Sequence, residues 1–262
     1  SYTQILSGNS NFSGGVNING GILSVGSTTA LGSTGTISFD GGVLRYENGS
    51  GALTDYSSRL NMTAGQTYTI DVNGQSVTWG SRVFGNVRLI VQDANYNSGV
   101  LTLQPSGIQY DTFASGVTLS SGFLALGNGY ALDPVVSHNN GIITFSGGTL
   151  RFTSGNSQDY SAIFSNTGGR SYKVDLNDQN VTFSNSLTSP GGTFSLYDLS
   201  SGHSGILSFG TSNSYTGGTT INSGELKLLV SDGLPELCAI DVEGGILDIY
   251  GKSPNVGGLT IL

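Results

Sequence analysis

The chain has 262 residues, and its nine Lys and Arg against 17 Asp and Glu give a net charge of −8, with only 10% of positions charged. Such a surface repels phosphate backbones, which argues against nucleic-acid binding. No apolar run approaches the ~20 residues of a membrane span, so no membrane insertion by this segment is expected.

Glycine fills 42 positions, yet 36% of the residues are hydrophobic and regularly spaced. A disordered polar chain would lack them, so the chain is expected to fold behind a surface of uncharged polar residues. Cys238 is the single cysteine and has no internal disulfide partner. Nothing at Ser1–Ser10 reads as a signal peptide, so the chain is expected to be a piece of a longer one.

In chain order the elements repeat. From Phe12 the sequence reads FSGGVNINGGILSVG, then FDGGVLRY to Tyr46, YTIDVNGQSVTW over Tyr68–Trp79 and SGVLTL over Ser98–Leu103. From Phe113 it reads FASGVTLSSGFLALG, then FSGGTLRF to Phe152, YKVDLNDQNVTF over Tyr172–Phe183 and SGILSF over Ser204–Phe209. From Tyr215 it reads YTGGTTINSGELKLL, then VEGGILDIY to Tyr250. Phe12, Phe113 and Tyr215 are 101 and 102 residues apart. The units run near 1–106, 107–210 and, in part, 211–262. No Pro-rich linker or charge run separates them, so one continuous body is expected.

Inside each unit the apolar period is two, the mark of strands. Val16 and Ile18 alternate with Asn17 and Asn19, and Ile37 and Phe39 flank Ser38. Val87, Leu89 and Val91 form another run, as do Leu101 with Leu103, Leu207 with Phe209, Leu226 with Leu228, and Leu247 with Ile249. Short strands broken by Gly-Gly, Ser-Gly and Asn-Gly corners predict an all-β solenoid, a parallel β-helix whose coils stack at about 4.8 Å. A chain of β-sandwiches shares the short strands but does not explain near-identical blocks recurring without linkers.

The segment GILSFGTSNSYTGGTTINSGELKL (Gly205–Leu228) resembles the passenger-associated transport repeat of bacterial autotransporters. Ser1–Val25 carries the pattern again. Ser98–Leu126 is a divergent copy with an insertion and no Asn-x-aromatic step. The resemblance implies a right-handed parallel β-helix, secreted and displayed on a bacterial cell surface or outside the cell. The translocator barrel of that family is not in this sequence.

Related coils also carry polysaccharide-cleaving enzymes, which need paired carboxylates about 5–10 Å apart. Asp71 and Asp175 lie between apolar neighbours at matching positions of the two units, and are expected to face solvent in a structural role. An active site is built once, whereas a residue repeated with the fold serves the fold. Asp175, Asn177 and Asp178 suggest a calcium loop. Asp71, Asn73 and Gly74 stand in the matching place, however, and Asn-Gly marks a tight turn.

His138 and His203 lack metal-ligand spacing, and no G-x-S-x-G marks a nucleophile. The Asn-x-Ser/Thr triplets at Asn11, Asn48, Asn61 and Asn180 are expected by chance in so Asn-rich a chain. Phe12, Phe113 and Tyr215, then Tyr46, Phe152 and Tyr250, then Trp79 with Phe183, recur and are expected to stack inside the coils. Arg45 and Arg151 should solvate the outer face.

No catalytic, cofactor-binding or metal residue is therefore assigned, and no cofactor is expected. The reading is a non-catalytic structural or adhesive stalk. A polysaccharide-binding or -cleaving β-helix and an end-to-end fibre subunit are the alternatives, with a host or matrix glycan or self-association as the partner.

Overall fold

The computed structural model describes residues 2–47, 53–95, 97–135 and 141–262. Among these, every strand pairing is parallel, and no α-helix occurs. Strands of three to five residues gather into sheets of seven, nine, four and two strands. The seven-stranded sheet runs from Thr3–Leu6 through Ile22–Val25, Val43–Tyr46, Thr67–Asp71, Arg88–Gln92 and Val117–Leu119 to Ile143–Phe145. The nine-stranded sheet starts at Ser76–Trp79 and ends at Gly258–Ile261. Parallel neighbours always come from successive passes of the chain, which makes the molecule a β-solenoid of about 11 turns. The sandwich is ruled out, because sandwich neighbours pair antiparallel.

Coil length varies from 19 residues, Thr3 to Ile22, to 28, Leu89 to Val117. The strands stay in register because the loops absorb the difference. Val77, Leu101, Leu124, Leu150, Val174, Leu196, Ile221 and Val242 form one inward track, directly over one another, and all are buried. Burying such a side chain contributes about 1.5–3 kcal/mol. Eight on one track therefore outweigh the weak propensity of strands this short. Rings stack along the axis in the same way: Phe183 lies 6.3 Å from Phe209, and Phe194 lies 6.2 Å from Tyr215.

The Gly-Gly steps have a specific cause. A Cβ on Gly42 would sit 2.3 Å from Ile18 Cγ2, and one on Gly245 would sit 2.4 Å from Ile221 Cγ2. Ile18 and Ile221 are equivalent positions one coil earlier, so the second glycine lets successive coils close up.

The 100-residue unit is not a whole number of coils. Ile22, Val43, Thr69, Ile90 and Thr118 succeed one another on the seven-stranded sheet, four coils in all. The counterpart of Ile22 in the next unit is Phe123, five residues further on, and it lies on the nine-stranded sheet. Ser76–Trp79 and its counterpart Asn180–Phe183 are likewise on different sheets, the nine- and the four-stranded. Each unit therefore makes four turns plus one side, and equivalent residues step around the rod.

The aromatic expectation holds in the body of the rod. Phe113, Tyr215, Tyr46, Phe152, Trp79 and Phe183 are all buried. It fails in the outer coils, where Phe12 and Tyr250 are exposed, as is Ile249. Leu247 is only partly buried. These residues lie in the first and last coils of the described chain, where inward phase alone does not cover a side chain.

Candidate functional site

The repeated acids Asp71 and Asp175 correct the sequence expectation. Each has 0% relative exposure and faces an arginine rather than solvent. The period of two does put Asp71 on the face opposite Ile70. That face is roofed there by Arg45 from the coil before and by backbone from the coil after. Arg45 Nε donates to Asp71 Oδ2 at 2.7 Å, while the N–H groups of Asn73 and Ala94 donate to Oδ1 at 3.1 and 3.3 Å. In the next unit Arg151 Nε donates to Asp175 Oδ2 at 2.5 Å, and the N–H groups of Asn177 and Leu199 donate to Oδ1 at 3.3 and 2.9 Å. Arg45 and Arg151 are thus clamps between coils and only partly solvated. Arg151 also covers the Phe123 ring at 4.2 Å.

The turn after each acid is the tight turn that Asn-Gly signals. Asn73 and Gly74 have φ of 49° and 78°, and Asn177 and Asp178 have 49° and 63°. Two consecutive left-handed residues turn the chain sharply enough to start the next side. The Asp175 carboxylate is committed to Arg151 and two backbone donors, which makes it a brace for that turn.

Two further pairs of acids do the same work and were not singled out from the sequence. Asp93 takes the N–H groups of Gly74, Ser98 and Gly99 at 2.9, 2.8 and 2.6 Å. Its counterpart Asp198 takes those of Asp178 and Gly205 at 3.0 and 2.7 Å. Asp55 takes Ser57 N–H and, one coil on, Gly80 N–H, both at 2.8 Å. Asp159 repeats this with Ser161 and Ser184, also at 2.8 Å. The signal was present as Asp-Tyr-Ser at Asp55–Ser57 and Asp159–Ser161, and as Ser-Gly following Asp93 and Asp198. Spacings of five to seven residues through a loop have no strand or helix period, so pattern reading passes over them.

Buried phenols complete the interior. Desolvation pushes the hydroxyls of Tyr46, Tyr68, Tyr160 and Tyr215 well above their ordinary range, and that of Tyr172 up to about 12. They act as neutral donors. Tyr68, for example, donates to Asn61 O at 2.6 Å.

His203 is a loop residue at φ 46°, with Nδ1 2.6 Å from Asp198 O. His138 and Asn48 lie outside the described residues. Asn61 Nδ2 donates to Ser38 Oγ at 3.0 Å, and Asn180 Oδ1 accepts from Ile206 N–H at 3.0 Å.

On the outer face of the nine-stranded sheet an open groove of about 480 Å³ is lined by Phe123, Gly147, Thr149, Lys173, Tyr197 and Leu199 among others. It combines two aromatic rings, a cation and hydroxyls on a wall of glycine.

A parallel solenoid whose repeated acids brace its corners is a scaffold class in which coil stacking is the recurring design. Within that class, residues 3–25 and 204–228 match the family model of the passenger-associated transport repeat. The match covers two of the three stretches that carry the resemblance and not the divergent copy at Ser98–Leu126. The comparison with curated proteins and the comparison with solved structures gave no match. The divergent copy at Ser98–Leu126 does have the corner step, in altered form. Asp111-Thr112-Phe113 occupies the place of Asn213-Ser214-Tyr215, with Phe113 and Tyr215 both buried.

Proposed function

We propose that the chain is a non-catalytic structural or adhesive stalk segment of a protein secreted to a bacterial cell surface. The observation that carries this reading is the use of its acids. Asp71, Asp93, Asp55 and their counterparts one unit later are each taken up by backbone N–H groups or an arginine of neighbouring coils. Carboxylates engaged in this way, at matching places of both units, brace one coil against the next. The matched transport repeats support secretion to the surface. The chain is one continuous rod of about 11 coils, some 50 Å long at about 4.8 Å per coil. Its coil is right-handed, as connections between parallel strands of one sheet nearly always are.

A second reading, glycan binding, is favoured by the groove between Phe123 and Tyr197. Rings beside hydroxyls and a lysine suit a sugar face. One experiment addresses both readings. The chain is incubated with pectins, glucans and host glycans, with and without calcium, and followed for binding and for reducing ends. The stalk reading expects no turnover. Any binding that Tyr197→Ala weakens belongs to the groove. Reducing-end release that Asp175→Asn abolishes, in a variant that still folds, overturns the stalk in favour of an enzyme.

A further inference from the structure

We propose that Asp111 is built into the rod as a neutral carboxylic acid, its O–H standing where Asn213 presents its amide, and that keeping it neutral costs the fold stability as the solution moves from acid towards alkaline.

Three corners of the chain share a backbone bond, and two of them share the next one as well. Ser10, Asp111 and Asn213 each donate their N–H one coil on, to the carbonyls of Thr29, Tyr130 and Asp232. The next residue in the later two corners, Thr112 or Ser214, donates to Val83 O or Leu187 O, at 2.9 Å in both. The side chain then returns the bond. Val83 N–H donates to Asp111 Oδ1 at 2.6 Å, and Leu187 N–H donates to Asn213 Oδ1 at 2.8 Å.

The second atom of each side chain separates them. Asn213 Nδ2 donates to Gly233 O at 2.7 Å, across to the following coil. Asp111 Oδ2 is buried and has no hydrogen-bond partner. A carboxylate oxygen can only accept, and the residue in the place of Gly233, Ala131, offers a carbonyl. An ionised Asp111 would therefore carry a buried oxygen that no donor reaches, and buried charges without partners are strongly disfavoured. A protonated Asp111 has the donor that the site asks for, in the position of an amide N–H.

The charged and titratable groups around the corner do not relieve this. Arg82, in the coil before, spends its guanidinium on Tyr110 O at 2.8 Å and Gln109 Oε1 at 3.0 Å, and lies over the Phe84 ring. Tyr110 packs on Tyr130 of the following coil, 5.4 Å between ring centres, and Asp133 lies buried just beyond. Burial accordingly raises the Asp111 carboxyl to about 8, with Val83 N–H and Arg82 pulling the other way.

The sign follows from linkage. Below about pH 4, folded and unfolded chains both carry the proton and Asp111 makes no difference. As pH rises the unfolded chain ionises first, so stability falls. The fall ends once the folded carboxyl ionises near pH 8.

Thermal melts of the chain and of Asp111→Asn from pH 4 to pH 9 test the proposal. The variant should match the parent at pH 4 and exceed it by several degrees at pH 8. At pH 7 the parent should also show a carboxylic-acid C=O band in the infrared that the variant lacks. Melting curves that stay parallel across the range, or a parent without that band, would overturn the assignment.

Discussion

Leu207→Asp should abolish the native fold, while Ser208→Asp, one residue further along the same strand, should leave it intact. Leu207 sits at 0% exposure between its in-register partners Val181 and Leu226, both buried. Losing the leucine costs about 2–5 kcal/mol in packing. A carboxylate left unpaired among aliphatic side chains adds several more. The sum rivals the whole stability of an ordinary domain, about 5–15 kcal/mol. Ser208 faces the other way, beside Thr182 and Lys227. A carboxylate there stays hydrated and has a lysine at hand. Circular dichroism and urea titration of both variants read the difference, and equal damage would mean that the strand phase is wrong.

Asp175→Ala should cost about 3 kcal/mol, read as a lower urea midpoint with an unchanged slope. The change strands the Arg151 guanidinium and the N–H groups of Asn177 and Leu199 together. Breaking a buried pair from one side costs about 3–5 kcal/mol, and the partial exposure of Arg151, 22% of its side chain, places this case at the lower end. Removing both charges as Arg151→Met with Asp175→Leu should recover much of the loss, because no charge is then left without a partner. A double variant weaker than Asp175→Ala would show that the pair stabilises the coil in its own right.

Much of this architecture was legible in the sequence, for definite reasons. Alternation at Val87, Leu89 and Val91 or at Leu101 and Leu103 states which side of a strand is apolar, and the structure buries all five. The 101- and 102-residue spacings state that the blocks are alike. Neither states how the coil closes. Loops stretch individual turns from 19 to 28 residues, so the step of one side per unit has no counterpart in the spacing.

Alternation also says only which face a residue takes, and never what covers that face. Alternation points Asp71 and Asp175 outward, which is true of their direction and false of their exposure. The roof over them comes from Arg45 and Arg151, more than 20 residues earlier, and such a contact is invisible to a local period. The groove beside Phe123 was unreadable for the same reason. Phe123, Thr149, Lys173 and Tyr197 meet only because three further coils stack on the first.

The central claim, a single stack of parallel coils in register, is tested most directly by distances along one outer track. Thr78, Thr102, Ala125, Arg151, Asp175 and Tyr197 lie on successive strands of the nine-stranded sheet. Spin labels at Thr102→Cys and Tyr197→Cys, with buried Cys238 replaced by alanine, should report a narrow distribution near ~19 Å, four strand spacings of about 4.8 Å. Moving the first label to Thr78→Cys should lengthen it by one spacing, to ~24 Å. Broad distributions, or distances that do not grow by one strand spacing between the two pairs, would contradict the stacked solenoid.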